Sequence, residues 1–463
     1  MPPVYFGKDF RYLVPSKFRS KLIGSRVYTR NGWSKAAKEY GIFFDLSKVE
    51  WVELEPVVQI ILLIERALKE EISVTIAMPL PRARQSEEKW IRSNPQYAPP
   101  TQTRIQNRIK ALNFLNYLRF QQALRVPHLQ IQASNLRILD NYDSSLSFSE
   151  EYDEKEFTEN AQATEEVEYH YEYYYPLDWL SSEEPKLLSQ MADFIADILR
   201  KKDEIHYGVE AVDANTIANV FLYELIDNVG KYAGDGCRAL ATARIRSENI
   251  SPRSKDYLQS HVPYIQWLTQ KKTSLVEIVL GDSGAGIIST LEKSYREAAD
   301  TQKAISKTAP NETAAIMLWA FDRWSSCNRD QAASRGTRGL YRVHRIVKKY
   351  QGIITLRSGN QVVGFDHGGL SYDSNTPYPG RLSYIPGTVL SLWLPPFREN
   401  VIPRRTLMPI TKQREFGIVT LDLDNEGLNV RQEEELTRIL NRDIIVVANA
   451  RGVHRIESQL KKS

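Results

Sequence analysis

The stretch Leu280-Gly-Asp-Ser-Gly-Ala-Gly-Ile287 follows a short apolar run, Val276 to Leu280, that is typical of a strand. A carboxylate at the end of a strand, as Asp282 would be, can accept the amino hydrogens of adenine. Gly284 and Gly286 let the backbone turn sharply and approach a flat base closely. Tight turns use the same residue types, so this stretch alone predicts a strand ending in a turn, with an adenine site as the functional alternative.

A second segment, Tyr223-Glu-Leu-Ile-Asp-Asn-Val-Gly-Lys-Tyr-Ala233, belongs to a helix predicted over 213–229 and its end. Glu224 and Asn228 are four residues apart and therefore project from one helix face. The amide oxygen of Asn228 is a hard ligand suited to Mg²⁺, and the Glu224 carboxylate could take a proton from water that attacks a γ-phosphate. Lys231, on a neighbouring stripe, could neutralise phosphate charge. An amphipathic helix with solvated polar residues is the alternative interpretation.

Two further segments carry glycines at predicted element boundaries. Arg335-Gly-Thr-Arg-Gly-Leu-Tyr-Arg-Val343 runs into a helix predicted over 339–350, where unpaired N–H groups at a helix start favour phosphate. Pro386-Gly-Thr-Val-Leu-Ser-Leu-Trp-Leu-Pro395 places Gly387 and Thr388 at the opening of a strand. Taken singly, these segments predict a loop-to-helix junction and a turn followed by a strand.

The order of the four segments indicates more than any one of them. Asn228, Asp282, Gly339 and Gly387 are separated by 54, 57 and 48 residues. In this order they resemble the N box, G1 box, G2 box and final strand of the GHKL ATPases, which include histidine kinases, anti-sigma-factor kinases, DNA gyrase, Hsp90 chaperones and mismatch-repair ATPases. The resemblance covers residues 180–397, about half of the chain.

The resemblance implies ATP and Mg²⁺ as cofactors and assigns a role to each motif residue. It makes Glu224 the general base, Asn228 the Mg²⁺ ligand and Asp282 the acid that reads adenine. The segment 288–335 would be a mobile lid over ATP. The family's G2 box usually reads Gly-x-Gly, whereas the spacing here is Gly336-Thr-Arg-Gly339, which leaves the phosphate contacts of this loop open. The other implied nucleotide-binding residues are Lys231, Gly284, Gly286, Gly336, Arg338, Gly339, Leu340 and Thr388.

The N-terminal region has a strand–helix–strand pattern over residues 41–78, which predicts a βαβ unit with parallel strands. The stretch Phe44-Asp-Leu-Ser-Lys-Val-Glu-Trp-Val52 loosely resembles STAS-type domains, the fold of anti-sigma-factor antagonists. Where those proteins carry a phosphorylatable serine, this chain has Glu53-Leu-Glu-Pro56, without a hydroxyl group. The resemblance therefore implies a docking or scaffold role, and a generic βαβ unit is the alternative.

Composition bounds the organisation of the chain. The 463 residues include 61 Lys and Arg against 57 Asp and Glu, a balance that does not indicate a nucleic-acid partner. Two cysteines exclude a disulfide framework, no apolar run is long enough for a membrane span, and a cytoplasmic location is expected. We predict an α/β (α+β) multidomain protein: a STAS-like domain over 1–135, an acidic linker or insertion over 136–178, a GHKL α/β sandwich over 179–398, whose mixed sheet is covered by helices on one face, and a C-terminal α/β extension over 399–463.

Three activities fit the GHKL resemblance. ATP hydrolysis could drive a conformational or assembly switch, acting through a homodimer or a protein partner. The domain could instead phosphorylate a serine or threonine as anti-sigma-factor kinases do, or bind nucleotide as an interaction module without turnover. His128, His170 and His206 lack the helical context of a phosphoacceptor, which disfavours a histidine autokinase. Glu224 favours the ATPase switch, in intracellular signalling or antiviral defence by analogy of fold alone.

Overall fold

The computed structural model of the chain describes residues 3–6, 11–13, 27–82, 84–93, 98–126, 128–129, 135–140, 142, 174–181, 183–200, 218, 222–223, 225–234, 237–246, 275–300, 303, 305–309, 311–322, 325, 339–350, 352–367, 380–394, 419–420 and 446–447. The chain forms two compact units, Met1–Phe397 and Arg398–Ser463. The larger unit holds all the predicted site residues.

The N-terminal part of the larger unit centres on a four-stranded sheet. Its described elements are β1 (Val4–Phe6), β2 (Tyr12–Leu13), β3 (Tyr28–Thr29), β4 (Gly32–Trp33), α1 (Lys35–Tyr40), β5 (Ile42–Asp45), β6 (Trp51–Val52), α2 (Leu54–Lys69), β7 (Val74–Ala77), α3 (Gln85–Ser93), α4 (Ala98–Tyr117), α5 (Phe120–Leu124) and β8 (Leu136–Leu139). The sheet has the order β1-β5-β7-β8, and every pair in it is parallel. The parallel strand–helix–strand unit predicted over 41–78 is therefore confirmed, as β5, α2 and β7.

The remainder of this unit is built on a five-stranded sheet. Its described elements are β9 (Tyr174–Leu180), α6 (Pro185–Arg200), α7 (Leu225–Tyr232), β10 (Ala239–Arg246), β11 (Leu275–Asp282), α8 (Ile287–Glu297), a 3-10 turn (Ser306–Thr308), α9 (Glu312–Trp319), α10 (Gly339–Lys349), β12 (Ile353–Asp366) and β13 (Gly380–Leu394). The second unit contributes β14 (Val419–Thr420) and β15 (Val446–Val447), which pair in parallel.

The five-stranded sheet differs from the sequence prediction in its pairing. Its order is β12-β13-β11-β10-β9, and all four described pairs are antiparallel, so the prediction of a mixed sheet was wrong. The sequence contains two strand-like runs, 352–356 and 361–365, and the structure joins them in the single strand β12, whose register shifts around Gly359. Gly359 has a φ of +55°, a conformation that glycine adopts without penalty, so the irregularity looked like a strand boundary in sequence.

One face of this sheet is covered by helices, as the sequence predicted. Ile278 and Leu392 point from the strands into a core that also contains Ile226, Ile316 and Val343 from three helices. Helix α9 lies deep in this core: all residues from Ala314 to Phe321 are buried. The prediction of a mobile lid over 288–335 stays a prediction, but the burial of residues 314–321 argues against motion there, because their apolar side chains would have to leave the core.

The opposite face, expected to be uncovered, is packed against α2. Fourteen of the sixteen residues of this helix are buried, and only Arg66 and Lys69 are not among them. A helix that is apolar all round must be covered on all sides. Accordingly, α2 contacts β10, β11 and β13 of the antiparallel sheet and β7 of the parallel sheet. The division between the predicted domains 1–135 and 179–398 stays a prediction, but both parts contribute to this shared core.

The two ends of the segment predicted as an acidic linker, 136–178, belong to sheets. β8 is the edge strand of the parallel sheet, and β9 is the edge strand of the antiparallel sheet. Its interior, 143–173, lies outside the described residues. No helix in the described parts of the chain combines the length and the apolar composition that crossing a membrane requires.

Candidate functional site

The structure brings the predicted G1 segment and the Gly-Thr segment together at one end of the antiparallel sheet. Asp282 is the last residue of β11 and pairs with Thr388 of β13. The Asp282 carboxylate accepts a hydrogen bond of 2.8 Å from the N–H of Gly284. The N–H of Ile287, at the start of α8, donates to the Thr388 hydroxyl at 3.0 Å. Two segments about a hundred residues apart in sequence thus form one hydrogen-bonded structure around a carboxylate that is only 6% exposed.

Glycines allow the backbones at this point to approach each other. A Cβ at Gly387, which has a φ of +67°, would lie 1.8 Å from the carbonyl oxygen of Asp282. A Cβ at Gly286, with a φ of +81°, would lie 2.6 Å from the Ser358 hydroxyl oxygen. A side chain at either position would therefore push the two segments apart as well as strain the backbone.

The end of α7, the helix of the predicted N box, reaches the same loop. The N–H of Ala285 donates to the carbonyl of Ala233 at 3.1 Å, and a Cβ at Gly284 would lie 2.3 Å from that carbonyl oxygen. Asn228 is exposed and lies five residues before Ala233, a rise of roughly 7–8 Å along a helix. Asn228, whose amide oxygen could hold a metal ion, therefore belongs to the helix whose end contacts the G1 loop.

The remaining predicted residues are placed in part. Lys231 is exposed and pairs with the carboxylate of Asp227, one turn earlier on α7. Gly339 is the first residue of α10, and Leu340 is buried in the helix-face core. Three predicted positions lie outside the described residues, namely Glu224, Gly336 and Arg338.

The ionisation of Asp282 is set by opposing influences. Burial, the largest of them, and the carboxylate of Glu65 raise the pKa of Asp282 to about 6, although the N–H groups of Gly284 and Thr388 and the ammonium of Lys69 lower it. At neutral pH the group is mainly a carboxylate and can accept an amino hydrogen. Once protonated, it would keep only a neutral carbonyl oxygen as acceptor, which forms a weaker hydrogen bond than a carboxylate does.

No protein-family model, curated protein or solved structure matches this chain.

The sequence interpretation missed a polar cluster that reaches the site from the N-terminal region. The Lys69 ammonium, at the end of α2, lies 2.8 Å from the Glu65 carboxylate and 3.4 Å from the hydroxyl of Ser283. Nε2 of His128 lies 2.8 Å from the same Glu65 oxygen. The sequence signal for this cluster was Glu65 and Lys69, two opposite charges four residues apart on a mostly apolar helix. Burying charges is costly unless they are paired, so a pair of this kind can indicate a buried polar cluster.

A second set of buried polar contacts attaches α2 to the face of the sheet. The guanidinium of Arg244 on β10 lies 2.6 Å from Glu53 and 2.7 Å from Glu277 on β11. Arg357 on β12 bonds to the amide oxygen of Gln59 on α2. These bonds are directional, so they fix the rotation and the height of α2 on the sheet, which apolar packing alone would not do.

A cleft of about 530 Å³ opens beside the G1 loop. Gly284 and Gly387 contribute to its lining, but Asp282 and Asn228 do not. Three cationic side chains line it, and one of them, Arg66, is bonded to Glu70 at 2.8 Å. The residues that line this cleft therefore do not include the two side chains to which the sequence assigns adenine and Mg²⁺.

Proposed function

We propose that this protein binds ATP with Mg²⁺ in a GHKL-class site and hydrolyses it to drive a conformational or assembly switch, in intracellular signalling or defence. One observation carries the proposal. Asp282 is the last residue of a central strand, and its carboxylate is buried. The glycine-bearing loop that follows it donates an N–H group to this carboxylate and is hydrogen-bonded to Thr388 on the adjacent strand. A buried acceptor at a strand end, with backbone close on either side, suits the amino edge of a flat base.

The chemistry assigned to each group follows from its type. Asp282 would accept from the adenine amino group, whereas guanine would place a carbonyl oxygen against it and leave two acceptors facing each other. Asn228 would supply an oxygen ligand to Mg²⁺, which usually keeps several waters and the phosphates as its other ligands. Glu224 would take the proton of the attacking water. The family resemblance and the contact of Ala233 with the G1 loop support this arrangement.

The first test concerns the adenine contact. Asp282→Asn should weaken ATP binding by about 1–3 kcal/mol, or roughly 5- to 150-fold, because the amide can turn a donor toward the adenine amino group. Asp140→Asn is a matched control, because burial also raises the pKa of that carboxyl group and it lies at the end of β8 in the other sheet. Calorimetry that finds ATP affinity equal in the parent and in Asp282→Asn would reject the assignment.

Hydrolysis is tested in the same set of proteins. Glu224→Ala should retain ATP binding and slow phosphate release by roughly 10²- to 10⁴-fold, the range for loss of a general base. Asn228→Ala should remove the dependence of binding on Mg²⁺. Parental rates in both variants would contradict a catalytic role for this helix.

Label from the γ-phosphate should appear as free phosphate, and stable label on a serine or threonine of a partner would instead favour a protein kinase.

A further inference from the structure

We propose that Lys69 is a positioning residue of the nucleotide site, which keeps Asp282 in its adenine-accepting, ionised form against the buried charge of Glu65. The inference rests on the proposed function and extends it. It makes the site depend on a helix from residues 54–69, far outside the segment that carries the four motifs.

The contacts of Lys69 place its charge at the base of the site. It is the last residue of α2, and its ammonium lies 3.4 Å from the Ser283 hydroxyl and 3.5 Å from the sulfur of Cys237. Ser283 directly follows Asp282, and Cys237 lies between α7 and β10. The ammonium is therefore in contact with the segments on either side of the site, although it comes from the other face of the sheet.

Glu65 explains why a cation is needed there. Its side chain is fully buried and lies 2.8 Å from the Lys69 ammonium. Its negative charge raises the pKa of Asp282, and the charge of Lys69 lowers it. The groups that face this cluster from other elements are His128, bonded to Glu65, and Cys237, a thiol whose pKa burial raises. Lys69 is thus the cation among these groups that favours ionised Asp282.

The pKa of Asp282 lies only about one unit below neutral pH, so a small change in it alters the ionisation of this group. With a pKa of about 6, Asp282 is mostly ionised at pH 7. Any further rise in this pKa on loss of the Lys69 charge would increase the protonated fraction at neutral pH. Loss of the Lys69 charge should therefore reduce ATP affinity at neutral pH even in a variant that folds normally.

The test is the pH dependence of ATP affinity in full-length variants. The ionised carboxylate is the stronger acceptor, so ATP affinity should be highest above the pKa of Asp282 and fall as the pH decreases through about 6. Lys69→Met should move this midpoint upward by roughly one pH unit, and Glu65→Gln should move it downward. Lys69→Arg, which keeps the charge, should retain a midpoint near that of the parent. The phosphates of ATP ionise identically in all titrations, so differences between variants report on the protein.

The proposal predicts that the midpoint of the pH dependence moves in opposite directions in Lys69→Met and Glu65→Gln. Lys69→Met and Glu65→Gln both break the same ion pair, so a purely structural role predicts lower melting temperatures in both and an unchanged midpoint in both, which would overturn the proposal. Arg66→Gln removes a cation from the same helix where it bonds to Glu70, and its midpoint should equal that of the parent. If Lys69→Met does not fold, a downward shift in Glu65→Gln with retention in Lys69→Arg supports the proposal, and no shift in Glu65→Gln overturns it. Absence of ATP binding by the parent would instead reject the proposed function.

Discussion

Gly387 is the residue at which the candidate site tolerates least change. Its φ of +67° is unfavourable for other residues, and a Cβ there would lie 1.8 Å from the Asp282 carbonyl oxygen and 2.8 Å from a carboxylate oxygen of Asp282. Gly387→Ala should therefore strain the backbone and displace the carboxylate, with a loss of stability of several kcal/mol and a loss of ATP binding.

Gly32 offers a matched control for this substitution. It also has a positive φ, +85°, but a Cβ there would meet no atom within 4 Å. Gly32→Ala should cost only the conformational penalty, about 1 kcal/mol. Thermal denaturation of the two variants measures the difference, and equal losses of stability would show that the contact between the two segments is not tight.

At the scale of single residues, the sequence located the turn that follows Asp282, because its glycines carry a local geometry. The structure places Thr388 beside this turn, and binding of a nucleotide there stays a prediction. The contribution of Lys69 was not predicted, because no local pattern reveals that the end of a helix over two hundred residues earlier contacts Ser283.

Among the elements, α9 gives the clearest expectation for dynamics. Its residues Ala314 to Phe321 are buried in the core on the helix face of the sheet. Backbone amides in such a segment exchange slowly, because opening them exposes apolar surface. We expect hydrogen exchange at 314–321 to be equally slow with and without a non-hydrolysable ATP analogue, as it should be in the central strand β11. Protection that appears at 314–321 only on adding the analogue would contradict this placement.

The elements also show where periodicity is informative. The order of β5, α2 and β7 within residues 41–78 was predicted, because apolar runs and a proline in the first turn of the helix mark these elements. The antiparallel pairing of the five-stranded sheet was not predicted, since strand direction depends on connections that composition does not record. The continuous apolar surface of α2, with Ile60 to Ile64 all buried, was the available sign that two sheets cover it.

At the scale of the whole molecule, the packing of α2 on the antiparallel sheet limits which deletions can be used to study the proposed switch. Deletion of the predicted STAS-like domain, residues 1–135, would be the simplest way to separate a switch from hydrolysis if that domain were independent. That deletion would remove α2 and expose Leu240, Val279 and Val389 on the face of the antiparallel sheet. We therefore expect a protein of residues 136–463 to aggregate or unfold, and not to hydrolyse ATP in an uncoupled form.

Deletion of residues 398–463, the other compact unit, is the control. The remaining 1–397 should melt cooperatively near the temperature of the parent, as followed by circular dichroism. Cooperative melting of 136–463 at that temperature would show that α2 is dispensable for the sheet. The switch itself is better tested in the full chain, by sedimentation with and without an ATP analogue, because a ligand changes assembly only if it binds two states with different affinity.

The position of α2 also has a consequence for biosynthesis. The helix is translated more than 300 residues before β13, one of the strands that covers it. At a synthesis rate of about 5–20 residues per second, this interval is roughly 15 to 60 s. During that time a largely apolar helix that bears Glu65 lacks the complete antiparallel sheet to pack against, and contacts this distant in sequence form slowly. The nascent chain, more than the finished protein, is therefore the species that needs protection from aggregation.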